Sequence, residues 1–186
     1  MALSKDDDGA GKIELDSVKC ILSTTDLKGN IQYSNRYFSE VSGYSKEELH
    51  GSPHNIIRHP DMPKVMFKLM WDRLKKNENI TMIVKNKAKD GRHYWVKTFF
   101  ETKYHPISRE PYGYLSIRHA APKKAIREIK PLYKRLRSIE ARYGIHASQD
   151  YLIKYLMKED KTYDEYLKEI TQEKNIIIDF FTRQTH

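Results

Sequence analysis

Ile80-Thr81-Met82-Ile83-Val84-Lys85-Asn86 is a β-branched, apolar run. Beyond it stand Lys89-Asp90-Gly91-Arg92 and then His93-Tyr94-Trp95-Val96-Lys97-Thr98-Phe99-Phe100-Glu101-Thr102-Lys103-Tyr104. Asp-Gly between two such runs is the strongest short hairpin signal, because the tight turn needs positive φ and glycine takes it without a Cβ clash. Antiparallel pairing follows. A loop from Pro106 to Gly113 then leads to a last strand, Tyr114-Leu115-Ser116-Ile117-Arg118. Upstream, Val18 to Leu27 is again apolar and β-branched, Lys28-Gly29-Asn30 supplies a turn, and Ile31-Gln32-Tyr33-Ser34 closes a second hairpin.

Between the hairpins the periodicity changes. Asn35 opens a short helical stretch with Tyr37, Phe38 and Val41 on one face, closed by Gly43. Ser45 with Glu48 forms a capping box for another short helix ending at Gly51. Pro63 to Leu74 carries Val65, Met66, Phe67, Leu69, Met70 and Trp71, with the proline where a first helical turn tolerates it. Two strands, several short helices and three strands predict an α+β domain. Its five-stranded antiparallel sheet has the short helices on one face and a pocket between the layers. Hairpin connections exclude a parallel sheet.

The chain's polar chemistry is concentrated in His54-Asn55-Ile56-Ile57-Arg58-His59-Pro60-Asp61-Met62-Pro63. Each proline fixes its own φ and pushes the residue before it out of the α region, so these side chains sit on a stiff backbone. A stiff polar loop suits a ligand held in one orientation. The charge distribution agrees. Of the formal +9, residues 50–119 carry 14 Lys+Arg against 6 Asp+Glu, whereas residues 1–49 carry 6 against 9 and residues 120–186 carry 14 against 10. A basic excess in the segment holding the loop favours an anionic ligand, and Arg58 offers the paired donors that phosphate-like oxygens need.

Several classes are excluded or disfavoured. The sequence holds one cysteine, Cys20, so there is no internal disulfide or thiolate cluster. No run approaches the roughly 18 apolar residues of a membrane span, and the start lacks the basic-then-apolar order of a secretory signal, which makes the cytoplasm the expected compartment. His54 and His59 are five apart with Pro60 adjoining, so they do not form the i, i+4 pair of a helical metal site. No P-loop, nucleophile elbow or dinucleotide fingerprint occurs, so an enzyme is not expected. No RNP-like, zinc-finger or helix-turn-helix pattern accompanies the basic residues, which argues against nucleic acid. Asn86, Tyr94 and Trp95 are expected to line the pocket, where an amide and a phenol among aromatic rings orient a flat heteroaromatic ligand.

The ends differ from the middle. Residues 1–15 are polar and aperiodic and read as a mobile tail ahead of a domain at 16–120. From 121 to 186 the chain turns helical. Ile126, Ile129, Tyr133, Leu136 and Ile139 form one amphipathic stripe that Pro131 should kink or split, Ser148 is placed to cap a second helix, and Thr162 with Glu165 to cap a third through Tyr166, Leu167, Ile170, Ile177 and Phe180. This region either packs on the domain's own sheet or serves as a signalling, docking or dimerisation element.

Taken together, several motifs resemble the PAS domain of the bacterial aerotaxis-receptor family. They include Ser23-Thr24-Thr25-Asp26-Leu27, Val41-Ser42-Gly43-Tyr44-Ser45-Lys46-Glu47-Glu48-Leu49, His54 to Pro63, Met70-Trp71, Ile83-Val84-Lys85-Asn86, His93-Tyr94-Trp95-Val96 and Gly113-Tyr114-Leu115-Ser116-Ile117-Arg118. The resemblance covers residues 19 to about 119 and implies a PAS fold that binds FAD non-covalently and reports its redox state in energy or oxygen taxis. It places Arg58, His59 and Asp61 on the FAD-binding positions, with Asn35, His54, Asn86, Tyr94 and Trp71 as further pocket residues. Ile80 stands where the family usually has tryptophan, which leaves FMN or haem as alternative cofactors, the haem held by His54 or His59. Without a receptor signalling hairpin in sight, the chain is expected to signal in trans to a membrane chemoreceptor or another signalling protein, which would recruit it to the membrane, and to pair as a homodimer through flanking helices. A cofactor-free interaction module is the other reading.

Overall fold

A computed structural model of the chain describes residues 11–172. Strands β1 (Ile21–Thr25) and β2 (Ile31–Ser34) form the first hairpin. Its turn is held by the Asp26 carboxylate, which accepts from Lys28 N and Asn30 N at 2.9 Å each. Helix α1 (Arg36–Ser42) starts on Asn35 and ends on Gly43, which takes a left-handed φ of 73°. Helix α2 (Lys46–Leu49) has the capping box of Ser45 and Glu48. A 3-10 turn (His54–Ile57) opens the polar loop, and α3 (Lys64–Leu74) follows it. Strands β3 (Ile80–Lys87), β4 (His93–Tyr104) and β5 (Pro111–Ala120) complete the sheet.

The five strands pair antiparallel throughout, in the order β2-β1-β5-β4-β3. The expected five-stranded α+β architecture is therefore present. At Gly113 β5 runs tight against the end of β1, since a Cβ there would lie 2.1 Å from the Thr25 carbonyl oxygen. Both outer strands have company along their free edges. Ile31 N donates to Ser52 O at 2.9 Å and Gly51 N to Ile31 O at 2.7 Å, while Arg58 makes an antiparallel bridge with Asn86 at the edge of β3.

Strand alternation separates two faces. Ser23, Thr25, Val84, Asn86, Tyr94, Val96, Thr98, Ser116 and Arg118 lie on the buried inner face, toward α1 and α3. Trp95 falls on the opposite face, which corrects its expected place in the pocket. Its ring stacks on Tyr133 at 6.5 Å, under a helical layer built from the C-terminal region.

That layer comprises α4 (Lys123–Lys158) and α5 (Tyr163–Thr171). Ala125, Ile129, Leu132, Tyr133 and Leu136 form its buried stripe, and Tyr133 Oη donates to the edge carbonyl of Ile83 at 2.7 Å. Pro131 does not split this helix. The break lies at Gly144, with φ 82° and ψ 176°, so that 145–158 folds back on 123–143. Ser148 is consequently inside the second arm rather than at its start, and its hydroxyl donates to Leu136 O at 3.3 Å. Thr162 and Glu165 cap α5 as expected, whereas Ile177 and Phe180 lie outside the described residues.

The amino-terminal expectation changes too. Ile13 N donates to His93 O at 2.7 Å and His93 N to Gly11 O at 3.1 Å, so residues 11–15 are docked beside β4 with Ile13 and Leu15 against the core. Unpaired backbone at the start of β4 explains the docking. Residues 1–10 lie outside the described residues.

Candidate functional site

A cavity of about 240 Å³ lies between the inner face of the sheet and α3. Phe67, Met70, Trp71 and Leu74 line it from α3, His54, Asn55, Ile57 and Arg58 from the polar loop, and Val84, Asn86, Thr98, Phe100, Tyr114, Ser116 and Arg118 from the sheet. Helical spacing puts 67, 70, 71 and 74 on one side of α3, and the strand period of two puts the even-numbered residues of β3, β4 and β5 inward. Trp71 and Tyr114 meet edge to face at 5.2 Å. The lining holds the cations Lys28, Arg58 and Arg118 and no carboxylate.

Arg118 is the most unusual of these. It is 2% exposed, and its guanidinium is met by hydroxyls, an imidazole and a ring: Ser23 Oγ at 3.1 Å, Ser116 Oγ at 3.0 Å, His54 Nε2, and Phe38 at 5.4 Å from the ring centroid. Burial pulls its pKa down to about 10, so it is still charged at neutral pH. His54 is depressed well below its ordinary value, first by burial and then by the Arg118 charge, which leaves a neutral ring whose Nε2 faces Arg118 and Ser23 Oγ (3.1 Å). Arg58 lies 4.3 Å from the Phe67 ring centroid and donates to Met62 O at 3.4 Å.

Two buried polar atoms on this wall have no hydrogen-bond partner among the described residues, Asn86 Nδ2 and Thr98 Oγ1. Leaving such a group unpaired costs about 1–3 kcal/mol. A ligand edge carrying acceptors would satisfy both. Tyr94 is directly opposite Asn86 in the sheet and its buried hydroxyl is also unpaired, but it is packed in the core outside the lining. Burial drives its pKa upward.

Of the residues singled out in the sequence, His54, Arg58, Trp71 and Asn86 come together on the cavity. Asn35 does not. Its side chain accepts from Leu22 N and Phe38 N at 3.1 Å each and donates to Cys20 O at 2.9 Å, clipping β1 to α1. His59 and Asp61 occupy the other side of their loop. His59 meets His93 edge on at 5.9 Å, and Asp61 binds Lys85 at 2.9 Å and Arg137 at 2.6 Å. Burial alone would raise the Asp61 pKa, but Lys85, His59 and Arg137 outweigh it and hold the carboxyl below its usual range. Ile80 is buried at the start of β3, away from the lining. Arg118 was not singled out as a pocket residue, although an arginine at an inward position of a short strand is a signal for one. Among the described residues no three metal-ligating side chains cluster, and no helix is long and apolar enough to cross a membrane.

Comparison with known proteins agrees with this architecture. Residues 31–118 match the family model described as the PAS fold. The aerotaxis receptor of Escherichia coli (strain K12) is 46% identical over 128 residues, which are 68% of this chain and 24% of the receptor, so the chain spans about a quarter of that relative's length. The bacterioopsin transcriptional activator of Halobacterium salinarum is 25% identical over 40% of the chain and 11% of its own length. Among solved structures, a light-oxygen-voltage domain characterised with a flavin analogue superposes with a TM-score of 0.54 at 17% identity, covering 62% of this chain and 87% of its own. The dark-state domain of the blue-light photoreceptor aureochrome1 gives 0.52 at 17%, covering 64% and 86%. The sheet order, the helix-walled cavity and the receptor likeness converge on one conclusion: residues 31–118 are a PAS domain of the aerotaxis-receptor type.

Proposed function

We propose that this chain is a non-enzymatic redox sensor whose cavity takes the ring system of FAD and whose state is passed to a separate signalling protein, a membrane chemoreceptor being the first candidate. The observation that carries the reading is an aromatic-walled cavity with a buried, carboxylate-free arginine and an unpaired Asn86 amide on one wall. At about 240 Å³ the cavity is below the roughly 300–1,000 Å³ of drug-sized sites, so it suits a ring rather than a whole dinucleotide. The phosphates would lie toward Lys28 and Arg58. Flavin, when bound, supplies a heteroaromatic edge that takes up electrons and whose hydrogen-bonding pattern changes as it does.

The chain's residues suit such an edge in different ways. Arg118 presents donors only and favours negative charge beside it. Asn86 carries a donor and an acceptor on one rotor, so a half-turn of its amide matches either pattern. Neutral His54 keeps Arg118 in place. The haem alternative is less well supported, because His54 Nε2 already faces Arg118 and Ser23 and His59 is outside the lining.

The purified protein should show the paired flavin absorption bands, and mass spectrometry of the heat-released compound should give FAD. A Soret band, or no chromophore after reconstitution with FAD, would overturn the reading. Arg118→Met should weaken flavin binding about tenfold or more, as loss of a charged hydrogen bond does.

A further inference from the structure

The first turn of a helix exposes backbone N–H groups that need acceptors, and α3 begins after Pro63, which has no side-chain acceptor. The acceptor comes from α4. Glu140 Oε2 accepts from Lys64 N at 2.9 Å and its Oε1 from Val65 N at 2.8 Å. One turn back on α4, Arg137 Nη1 donates to Asp61 Oδ1 at 2.6 Å, and Asp61 Oδ2 accepts from the buried ammonium of Lys85 at 2.9 Å. Residues 137 and 140 share one helix face. That face therefore grips both ends of the segment from Asp61 to Val65, which joins the cavity loop to the cavity wall.

The same segment touches the cavity on its other side. Arg58 lines the cavity and its backbone bridges Asn86, which also lines it, while Lys85, next to Asn86, points to the opposite face of the sheet, beside Trp95, and pairs there with Asp61. Helix α3, capped by Glu140, presents Phe67, Met70, Trp71 and Leu74 to the cavity. A change at Asn86 or α3 thus reaches α4 through one ion pair and one cap. Asp61 and Arg137 are both partly exposed, so the contact can open without unpacking the core.

We infer that Arg137 and Glu140 form a clamp linking cavity occupancy to docking of the C-terminal helices, so that flavin and docked helices each favour the other. The inference rests on the flavin reading above and names the regulation of that site. Linkage makes the effect reciprocal: whatever factor the clamp adds to flavin affinity, flavin adds to helix docking. Glu140 is a positioning residue here, acting on the ligand through α3.

The test uses the full chain. Flavin affinity is titrated for wild type, Glu140→Ala, Glu140→Gln and Arg137→Ala, and amide hydrogen exchange over 64–68 and 123–171 is compared with and without FAD. Removing a cap should weaken flavin binding about three- to tenfold in Glu140→Ala, with a smaller loss in Glu140→Gln, whose single amide oxygen still accepts from one of the two N–H groups. Stripping flavin from the wild type should speed exchange in α4 and α5 by a similar factor. Circular dichroism should report all three variants folded; a folded Glu140→Ala with unchanged affinity overturns the clamp, as does exchange in α4 and α5 that ignores FAD. If wild type takes up no flavin, the functional reading falls and the linkage with it; if it takes up flavin independently of Glu140, only the linkage falls.

Discussion

His54 stacks on Phe38 with ring centroids 5.9 Å apart and is enclosed with Arg118. Its neutral state in the fold has a consequence for stability. In the unfolded chain a histidine takes up a proton near pH 6.5, whereas in the fold its pKa is depressed, so the unfolded state binds more protons as the pH falls below about 6.5. Stability present in full above that pH should decline by about 1.4 kcal/mol per unit below it. Urea denaturation of wild type and His54→Asn at pH 7.5, 6.5 and 5.5 checks this, and the variant should lose that share of the slope; equal slopes would place His54 in solvent. How far such residues were legible depended on their setting. His54 and Arg58 stood out because polar groups crowd a proline-stiffened loop, but a loop has two sides and spacing cannot say which a residue takes. His59 and Asp61 face away from the cavity for that reason. Arg118 was hidden in an ordinary-looking strand.

The hairpins were readable because Lys28-Gly29-Asn30 and Asp90-Gly91 carry their own turn chemistry, and α2 and α5 because a capping box is local. Helix α4 was not, because its course is decided by packing. Pro131 removes one intrahelical hydrogen bond, yet Ile129, Leu132, Tyr133 and Leu136 are buried on either side of it and hold the axis through. Gly144 breaks it instead, in a backbone region open almost only to glycine. A Cβ there would meet nothing within 4 Å, so the cost of Gly144→Ala is conformational. We expect a loss of about 1–3 kcal/mol by chemical denaturation. An unchanged midpoint would mean that the arms do not depend on this turn.

The C-terminal helices complete the body of the protein rather than trail from it. Besides Tyr133 on Trp95, Arg73 of α3 pairs with Asp164 of α5 at 2.7 Å. A chain ending at Ala120 should uncover Trp95 and Ile83, at about 1.5–3 kcal/mol each, and should show red-shifted tryptophan fluorescence with a lowered melting temperature. Native-like emission and melting would show that the layer adds nothing to the core. The strands at the two ends of the sheet have a further meaning for how the molecule meets others. Ser52 and Gly51 lie along β2, and Arg58 with the Tyr133 hydroxyl along β3, so backbone groups at both rims are already engaged. A bare rim is a template on which foreign strands add, the route to fibrils and to peptide capture by sheet extension. Here such templating is blocked by the chain's own loops, and a partner is left to bind a sheet face or a helix.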